Sequence, residues 1–152
     1  MKIFVTVGTT KFDHLIKFLD TSLEKSYDVL FQIAEGSYKP INFPYIKYTA
    51  KIKDQYNNSD LVLCHAGAGT VFELLSLNKS FFVVPNLDRV DKHQLELCHY
   101  LKSNNYALFC ENYEMILESI IKFNDFEFKK FKKDAFFKFD DIADLIEKNY
   151  HI

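Results

Sequence analysis

The sequence is poor in several features, and each shortage excludes a class of protein. No apolar run reaches roughly 18 residues, so the chain is not predicted to span a membrane by itself. The formal net charge is only -2, which gives no general attraction to nucleic acid or to a membrane surface. The cysteines Cys64, Cys98 and Cys110 lack CxxC or metal-ligand spacing, which indicates reduced thiols in a cytosolic protein.

The length and the first residues narrow the class further. The 152 residues are predicted to form one domain, without a linker or an internal repeat. The apolar segment that follows Lys2 is interrupted at Gly8, which is too early for a signal peptide. We therefore expect a single domain, 1–152, that works in the cytoplasm.

The shortage of glycine is the most informative. The chain has four glycines, at positions 8, 36, 67 and 69, and two lie in Cys64-His65-Ala66-Gly67-Ala68-Gly69-Thr70, which follows an apolar strand. A glycine turn that opens a helix presents backbone N–H groups and the positive end of the helix dipole, which together favour a phosphate group. The segment therefore predicts a nucleotide or sugar-phosphate site. The alternative is a plain strand-to-helix turn, with Thr70 as the N-cap and Glu73 completing a capping box.

Short apolar strands alternate with amphipathic helices along the chain. Strands are expected at 2–7, 28–34, 45–49, 60–64, 81–84 and 106–110. Helices are expected at about 12–23, 51–58, 70–78, 91–103, 112–123 and 139–149, the first of them capped by Thr10 or Asp13. This alternation is typical of βαβ crossovers, and it predicts an α/β fold with a doubly wound, Rossmann-like parallel sheet.

Three polar loops are expected to share one edge of this sheet. In doubly wound sheets the ligand lies beyond the C-terminal ends of the strands, where the strand order reverses. The loops that begin there are Gly8-Thr9-Thr10, His65 to Thr70, and Asn86 to Gln94. We predict that all three face one crevice.

Three motifs in these loops carry a family resemblance. They are VTVGTT at the first strand, HAGAGTVFELLSLNKSFFVVP in the middle, and DKHQLELCHYL after it, and together they span about residues 2–110. Their order and spacing resemble the donor-binding half of GT-B glycosyltransferases of the family 28 type. Within that group the chain is similar to small catalytic subunits of two-part UDP-sugar transferases, which act on dolichol-linked sugar or in bacterial polysaccharide synthesis. In those systems the acceptor half is a separate, membrane-attached polypeptide.

The resemblance implies roles for the glycine loop and the helix after it. Glu73 would accept hydrogen bonds from the ribose hydroxyls, in competition with its capping role. His65 would steady the leaving UDP, although a lone histidine is more often structural. The UDP diphosphate would be held by the backbone N–H groups of Gly67, Ala68, Gly69 and Thr70 and by the Thr70 hydroxyl.

The resemblance also assigns the other two loops. Asp91, His93 and Gln94 would contact the donor sugar, with Asp91 and Gln94 binding its hydroxyls. The alternative for this pair is a helix cap, since Gln94 follows Asp91 by three residues. Gly8 and Thr9 would close over the diphosphate or meet the acceptor.

The implied reaction is inverting transfer of a hexose or N-acetylhexosamine from a UDP-sugar to a lipid-diphosphate-linked acceptor. It needs a general base for the acceptor hydroxyl and a stabiliser for the departing diphosphate. The sequence offers the stabiliser. We expect the base and the lipid-linked saccharide acceptor on a membrane-anchored partner subunit, at the cytosolic face of a membrane. No DxD-type acidic pair stands beside the site, so neither a catalytic metal nor another cofactor is expected.

The segment from Lys122 to Lys138 holds six lysines and six phenylalanines. The plain interpretation is an amphipathic stretch that packs its phenylalanines and leaves its lysines in water. The resemblance to two-part enzymes favours a second interpretation, in which part of a C-terminal helical segment, 122–152, docks the partner subunit.

Two other functions compete with glycosyl transfer. One is a nucleotide-binding regulatory subunit without catalysis of its own. The other is an NAD-dependent Rossmann enzyme. Against the second, the first strand ends in Gly8-Thr9-Thr10, where Gly-x-Gly-x-x-Gly is required.

Overall fold

Six parallel strands form one sheet through the middle of the protein. The computed structural model describes residues 1–86 and 93–132. The strands are β1 (Lys2–Thr6), β2 (Asp28–Gln32), β3 (Tyr45–Ile46), β4 (Leu61–His65), β5 (Phe81–Val84) and β6 (Leu108–Phe109). Their order is β3-β2-β1-β4-β5-β6, and every pairing is parallel. The predicted doubly wound α/β fold is confirmed, and its strand order reverses between β1 and β4.

Helices connect the strands and cover both faces of the sheet. They are α1 (Asp13–Ser22), α2 (Ile52–Asn57), α3 (Ala68–Ser76), α4 (His93–Ser103) and α5 (Glu114–Ile121), with a 3-10 turn at Phe123–Asp125. Most elements are shorter than predicted. The strand β2, for example, ends before Ala34, which has a φ of 51° and turns the chain. The helix predicted at 139–149 lies outside the described residues.

The uniformly apolar strands are explained by burial on both sides of the sheet. One face packs against α1 and α5, which contribute Leu15, Ile16, Leu19, Ile116 and Ile120. The other packs against α3 and α4, which contribute Val71, Leu74, Leu75, Cys98 and Leu101. Within residues 1–86 and 93–132, no helix is both long enough and apolar enough to cross a bilayer.

The start of α1 differs from the prediction. Phe12 is the N-cap residue and no described side chain caps the helix, so neither Thr10 nor Asp13 has the predicted role. The carboxylate of Asp13 instead accepts hydrogen bonds from the backbone N–H groups of Ser37 and Tyr38, each at 3.1 Å. Asp13 therefore holds the loop that follows β2.

A second carboxylate on α1 holds the same loop. Asp20 is only 1% exposed, and it accepts hydrogen bonds from the Tyr38 hydroxyl at 2.7 Å and from the N–H groups of Ile41 and Asn42 at 3.0 Å. Burial opposes ionisation of Asp20, but these hydrogen bonds outweigh it and lower its pKa below the ordinary value of 3.8.

The described part of the Phe and Lys segment packs against the domain. Phe123 packs against the buried core, and the ring of Phe131 meets the ring of Tyr106 edge-on at 5.5 Å. The backbone N–H of Lys129 donates to the carbonyl of Asn105 at 2.9 Å. Up to residue 132 the segment therefore fits the plain packing interpretation. The docking prediction also concerns residues 133–152, which lie outside the described residues.

Candidate functional site

A cleft of about 300 Å³ lies at the C-terminal edge of the sheet, where the strand order reverses. The loop after β1 contributes Gly8 and Thr9, and α3 contributes Gly69, Thr70 and Glu73. The structure thus brings five predicted site residues together. The remaining lining residues come from β1, β2, α2 and the segment before α2, and they are Thr6, Gln32, Tyr48, Thr49, Ile52 and Tyr56. No sequence motif marks this second group, because its members are scattered over two strand ends, a loop and a helix.

The start of α3 corrects the predicted capping box. Gly67 is the N-cap residue, its carbonyl accepts the N–H of Val71 at 3.0 Å, and no side chain in the described part of the chain caps the helix. Thr70 is therefore the third residue of α3, and the proposed cap pair of Thr70 and Glu73 is wrong. The first N–H groups of a helix have no partner within the helix. The first turn of α3 lines the cleft through Gly69 and Thr70 without a side-chain cap across its end.

Glu73 lies on the cleft wall, four residues after Gly69. Its side chain is 32% exposed, and its carboxylate lies 3.7 Å from Nζ of Lys53 on α2. Since Glu73 does not cap α3, the competition between capping and ligand binding is removed. A partly exposed carboxylate at this place can accept hydrogen bonds from hydroxyl groups of a ligand.

Tyr56 lies beside Thr70 in the lining of the cleft. The Tyr56 side chain is almost fully buried, and its hydroxyl is hydrogen-bonded to the side chain of Thr70. Burial raises the pKa of Tyr56 well above its ordinary value, and the negative charges that Cys64 and Glu73 carry when ionised raise it further. Tyr56 therefore stays protonated at neutral pH, and its hydroxyl helps to fix the orientation of Thr70.

His65 lies behind the glycine loop. Its side chain stands at the end of β4 and is only 6% exposed. A Cβ atom added at Gly67 would lie 2.6 Å from Cε1 of His65 and still closer to Nε2, and one added at Gly8 would lie 2.9 Å from Cε1. The imidazole ring thus occupies the space that side chains at positions 8 and 67 would need. Gly8 also has a φ of 59°, which disfavours other residues.

Gly69 differs from both of these glycines. A Cβ atom added at Gly69 would meet no atom of residues 1–86 and 93–132 within 4 Å. Packing among these residues therefore gives no reason for glycine at this position. A ligand that approaches the backbone closely would give one.

Of the loop after β5, the structure describes only the two ends, at 85–86 and 93–94. Oε1 of Gln94 accepts the backbone N–H of Asn86 at 3.0 Å, so Gln94 holds the residue that follows β5 and Pro85. His93 is 87% exposed, and its Nδ1 lies 3.5 Å from a carboxylate oxygen of Glu96. Asp91 lies outside the described residues, so its predicted cap and its predicted sugar contact stay predictions.

A larger cavity, of about 590 Å³, lies elsewhere along the same edge of the sheet. Aromatic rings from α1 and its N-cap line one side of it, and the residues before α5 line the other. Its described lining residues are Phe12, Phe18, Pro85, Glu111, Asn112, Tyr113 and Glu114. None of these is a predicted site residue. We therefore place the candidate site in the smaller cleft, where the glycine loop and the first turn of α3 meet.

The cysteines do not contribute reactive groups to the site. Cys64, Cys98 and Cys110 are buried and free. Burial raises the pKa of Cys98 to about 12, and it raises that of Cys64 as well, so both remain thiols at neutral pH. In the part of the chain that the structure describes, no three His, Cys, Asp or Glu side chains are grouped as metal ligands.

Residues 2–146 match the model of the glycosyltransferase family 28 C-terminal domain. The chain belongs to this family. The match extends the predicted resemblance, which covered about residues 2–110, and the fold is that of the C-terminal half of GT-B glycosyltransferases.

Two sequence relatives and one solved structure illustrate the similarity. The UDP-N-acetylglucosamine transferase subunit ALG13 of Homo sapiens is 35% identical over 122 residues, 71% of this chain and 11% of that protein. The UDP-N-acetylglucosamine--N-acetylmuramyl-(pentapeptide) pyrophosphoryl-undecaprenol N-acetylglucosamine transferase of Psychromonas ingrahamii is 30% identical over 105 residues, 63% of this chain and 30% of that protein. This chain thus spans only a minor part of the length of either relative. The NMR solution structure of ALG13 superposes with a TM-score of 0.60 at 16% identity, and the match covers 93% of this chain and 94% of that one.

Proposed function

We propose that this chain is the donor-binding, catalytic subunit of an inverting UDP-sugar glycosyltransferase. One observation carries the proposal. The cleft at the reversal of strand order is walled by the uncapped first turn of α3, by Glu73 and by the loop at Gly8. Helix N-termini of this kind attract phosphate groups, and the carboxylate one turn further along suits ribose hydroxyls.

The proposed roles follow from the positions of the residues. Backbone N–H groups of Gly67, Ala68, Gly69 and Thr70, with the Thr70 hydroxyl, hold the diphosphate. Glu73 binds the ribose, and Gly8 and Thr9 close the cleft from the loop after β1. His65 is nearly buried behind Gly8 and Gly67, so we expect it to act on the leaving UDP through the loop that covers it. The side chains of Asp91, His93 and Gln94 contact the donor sugar.

A partner chain supplies the rest of the reaction in this proposal. Among the described residues that line the cleft, Glu73 and the tyrosines Tyr48 and Tyr56 are the ionisable ones. Glu73 is assigned to ribose, so the base for the acceptor hydroxyl comes from a membrane-anchored, acceptor-binding subunit. ALG13 is named as a transferase subunit, which supports a two-chain enzyme, and the bacterial relative is named for a pyrophosphoryl-undecaprenol acceptor, which supports a lipid-diphosphate-linked saccharide. The chain then works in the cytoplasm, at the inner face of the membrane.

Calorimetry with UDP and NAD tests the donor half of the proposal. We expect the purified chain to bind UDP and to show no comparable heat with NAD. Binding of NAD without binding of UDP would instead support the Rossmann oxidoreductase. The loop after β1 lacks the Gly-x-Gly-x-x-Gly pattern that such an enzyme requires.

A transfer assay distinguishes the catalytic subunit from a regulatory one. The chain is co-expressed with its acceptor-binding subunit, and labelled sugar from the UDP-sugar is recovered in the lipid extract. We expect the transfer to be lost in Glu73→Ala and weakened in Gln94→Ala. Full transfer by both variants would leave only a nucleotide-binding role.

A further inference from the structure

Gln32 is a buried polar side chain at the end of β2 that contacts both walls of the cleft. It is 3% exposed. Its Nε2 donates to the carbonyl of Gly8 at 2.7 Å and to the carbonyl of Lys47 at 3.0 Å. Gly8 belongs to the loop after β1, and Lys47 directly precedes Tyr48 and Thr49 on the opposite wall.

The contacts around Gly8 form a closed hydrogen-bonded ring. The Gly8 N–H donates to Oγ1 of Thr6 at 3.1 Å, and the Thr6 hydroxyl donates to Oε1 of Gln32. Gln32 then donates back to the carbonyl of Gly8. Both peptide groups of Gly8 are therefore fixed, at the glycine whose φ of 59° sets the direction of the loop.

The chemistry of the ring requires an amide at position 32. Nε2 faces two carbonyl oxygens, which accept hydrogen bonds only, and Oε1 faces a hydroxyl that donates. A carboxylate would repel both carbonyls, and an apolar side chain would leave them without these two donors. Gln32 is buried, and a buried polar side chain needs hydrogen-bond partners that match its donors and acceptors.

We propose that Gln32 is a positioning residue that sets the separation of the two cleft walls for binding of a nucleoside diphosphate. The inference rests on the proposed function, since UDP is the ligand whose fit it explains. Gln32 acts through the backbone at Gly8 and Lys47 and touches no reacting atom. Its loss is expected to weaken UDP binding beyond what a general loss of stability would cause.

The test compares two variants that each alter a buried, hydrogen-bonded side chain. In Gln32→Met the two carbonyls lose their donors with little change in side-chain volume. In Asp20→Asn the altered side chain lies on α1 and is hydrogen-bonded to the loop at 38–43. Asp20 does not line the cleft. We expect the Kd for UDP to rise at least about tenfold in Gln32→Met and less than about twofold in Asp20→Asn, measured by calorimetry where both are folded. Equal affinities in wild type and Gln32→Met would overturn the inference.

A milder variant keeps the test usable if Gln32→Met does not fold. Thr6→Val removes one hydroxyl from the ring and leaves both hydrogen bonds of Gln32 Nε2 in place. We expect the Kd for UDP to rise about threefold. Backbone amide shifts of Gly8 should change in this variant while those of Tyr48 and Thr49 stay as in wild type, because the link to Lys47 is retained.

Two readouts separate failure of this inference from failure of the proposed function. If the wild-type chain does not bind UDP, the proposed function is wrong, and the part of this inference that concerns UDP is wrong as well. The coupling of the two walls is tested without ligand. In Gln32→Met the amide resonances of Gly8 and Thr49 should shift together, and unchanged resonances at both would contradict the coupling.

Discussion

The glycine loop has a protein-facing side and a cleft-facing side, and glycine is needed on the two sides for different reasons. On the protein-facing side, Gly67 leaves room for the imidazole ring of His65, as does Gly8 in the loop after β1. On the cleft-facing side, Gly69 has open space where a Cβ atom would stand. The same residue type therefore serves packing at two positions and, in our proposal, access of a diphosphate at the third.

This difference changes how the motif is interpreted. Two glycines spaced two residues apart suggest one shared purpose, namely close approach of a phosphate group. The structure shows that the first is required by a neighbouring side chain and that the second is not. Substitutions at the two positions should therefore differ in what they damage, and the following predictions are ordered by the size of the expected effect.

The largest effect is expected for Gly67→Ala. The new Cβ atom would overlap the His65 ring, which is enclosed between positions 8 and 67. We expect the free energy of unfolding to fall by about 1–3 kcal/mol, as for other overpacked sites. Urea denaturation measures this change.

A double-mutant cycle identifies the cause of that loss. His65→Ala removes the ring, so the double variant with Gly67→Ala should lose less stability than the two single losses together predict. Additive losses would contradict the assignment of Gly67 to the packing of His65.

The second largest loss of stability is expected for a substitution of Asp20. This residue lies on α1 and is not in contact with the glycine loop. Asp20→Asn should lower the free energy of unfolding by about 1–2 kcal/mol at neutral pH, because a charged acceptor of hydrogen bonds is replaced by a neutral amide. UDP affinity should change little. This variant separates damage to the domain from damage to the cleft.

The pH dependence of Asp20 has a defined sign. Its pKa in the folded state lies below the ordinary 3.8, so its stabilising contribution is complete above that value and is lost as the pH falls through the folded pKa. The stability difference between wild type and Asp20→Asn should therefore shrink below about pH 4. A constant difference between pH 6 and 3, measured by urea denaturation, would contradict this account.

A smaller effect, on ligand binding alone, is expected for Glu73→Gln. The carboxylate is partly exposed and lies near the exposed Lys53, so the free energy of unfolding should change by less than about 0.5 kcal/mol. UDP affinity should fall about tenfold, because a charged acceptor for the ribose hydroxyls is replaced by a neutral amide. Unchanged affinity would remove Glu73 from the site.

No loss of stability is expected for Gly69→Ala. No described atom obstructs the added methyl group, and alanine favours a helix over glycine by roughly 0.5–1 kcal/mol, so the variant should be as stable as wild type or slightly more stable. UDP affinity should nevertheless fall. A variant that is destabilised with intact UDP binding would reverse the comparison between Gly67 and Gly69.

The fold and part of the site were predictable from the sequence for physical reasons. Strands buried on both faces are uniformly apolar, which made β1, β4 and β5 recognisable, and parallel strands bring their C-terminal loops to one edge. The meeting of Gly8 with Gly69, Thr70 and Glu73 follows from that topology.

Other features depend on tertiary contacts that leave no local pattern. Gly67 and Thr70 are both acceptable N-cap residues, so the start of α3 could not be chosen from residue types. The role of Gln32 depends on carbonyls of two other segments, at Gly8 and Lys47. Asp13, which was expected to cap α1, instead binds N–H groups of a loop more than twenty residues away.

Titration of the chain with UDP, followed through backbone amide resonances, tests the central claim most directly. We predict shifts concentrated at Gly8, Thr9, Gly69 and Thr70, with smaller ones at Thr49. Shifts centred on Phe12, Phe18 and Tyr113 would move the site to the larger cavity. The absence of any shift at saturating UDP would contradict the assignment of a nucleotide site to this domain.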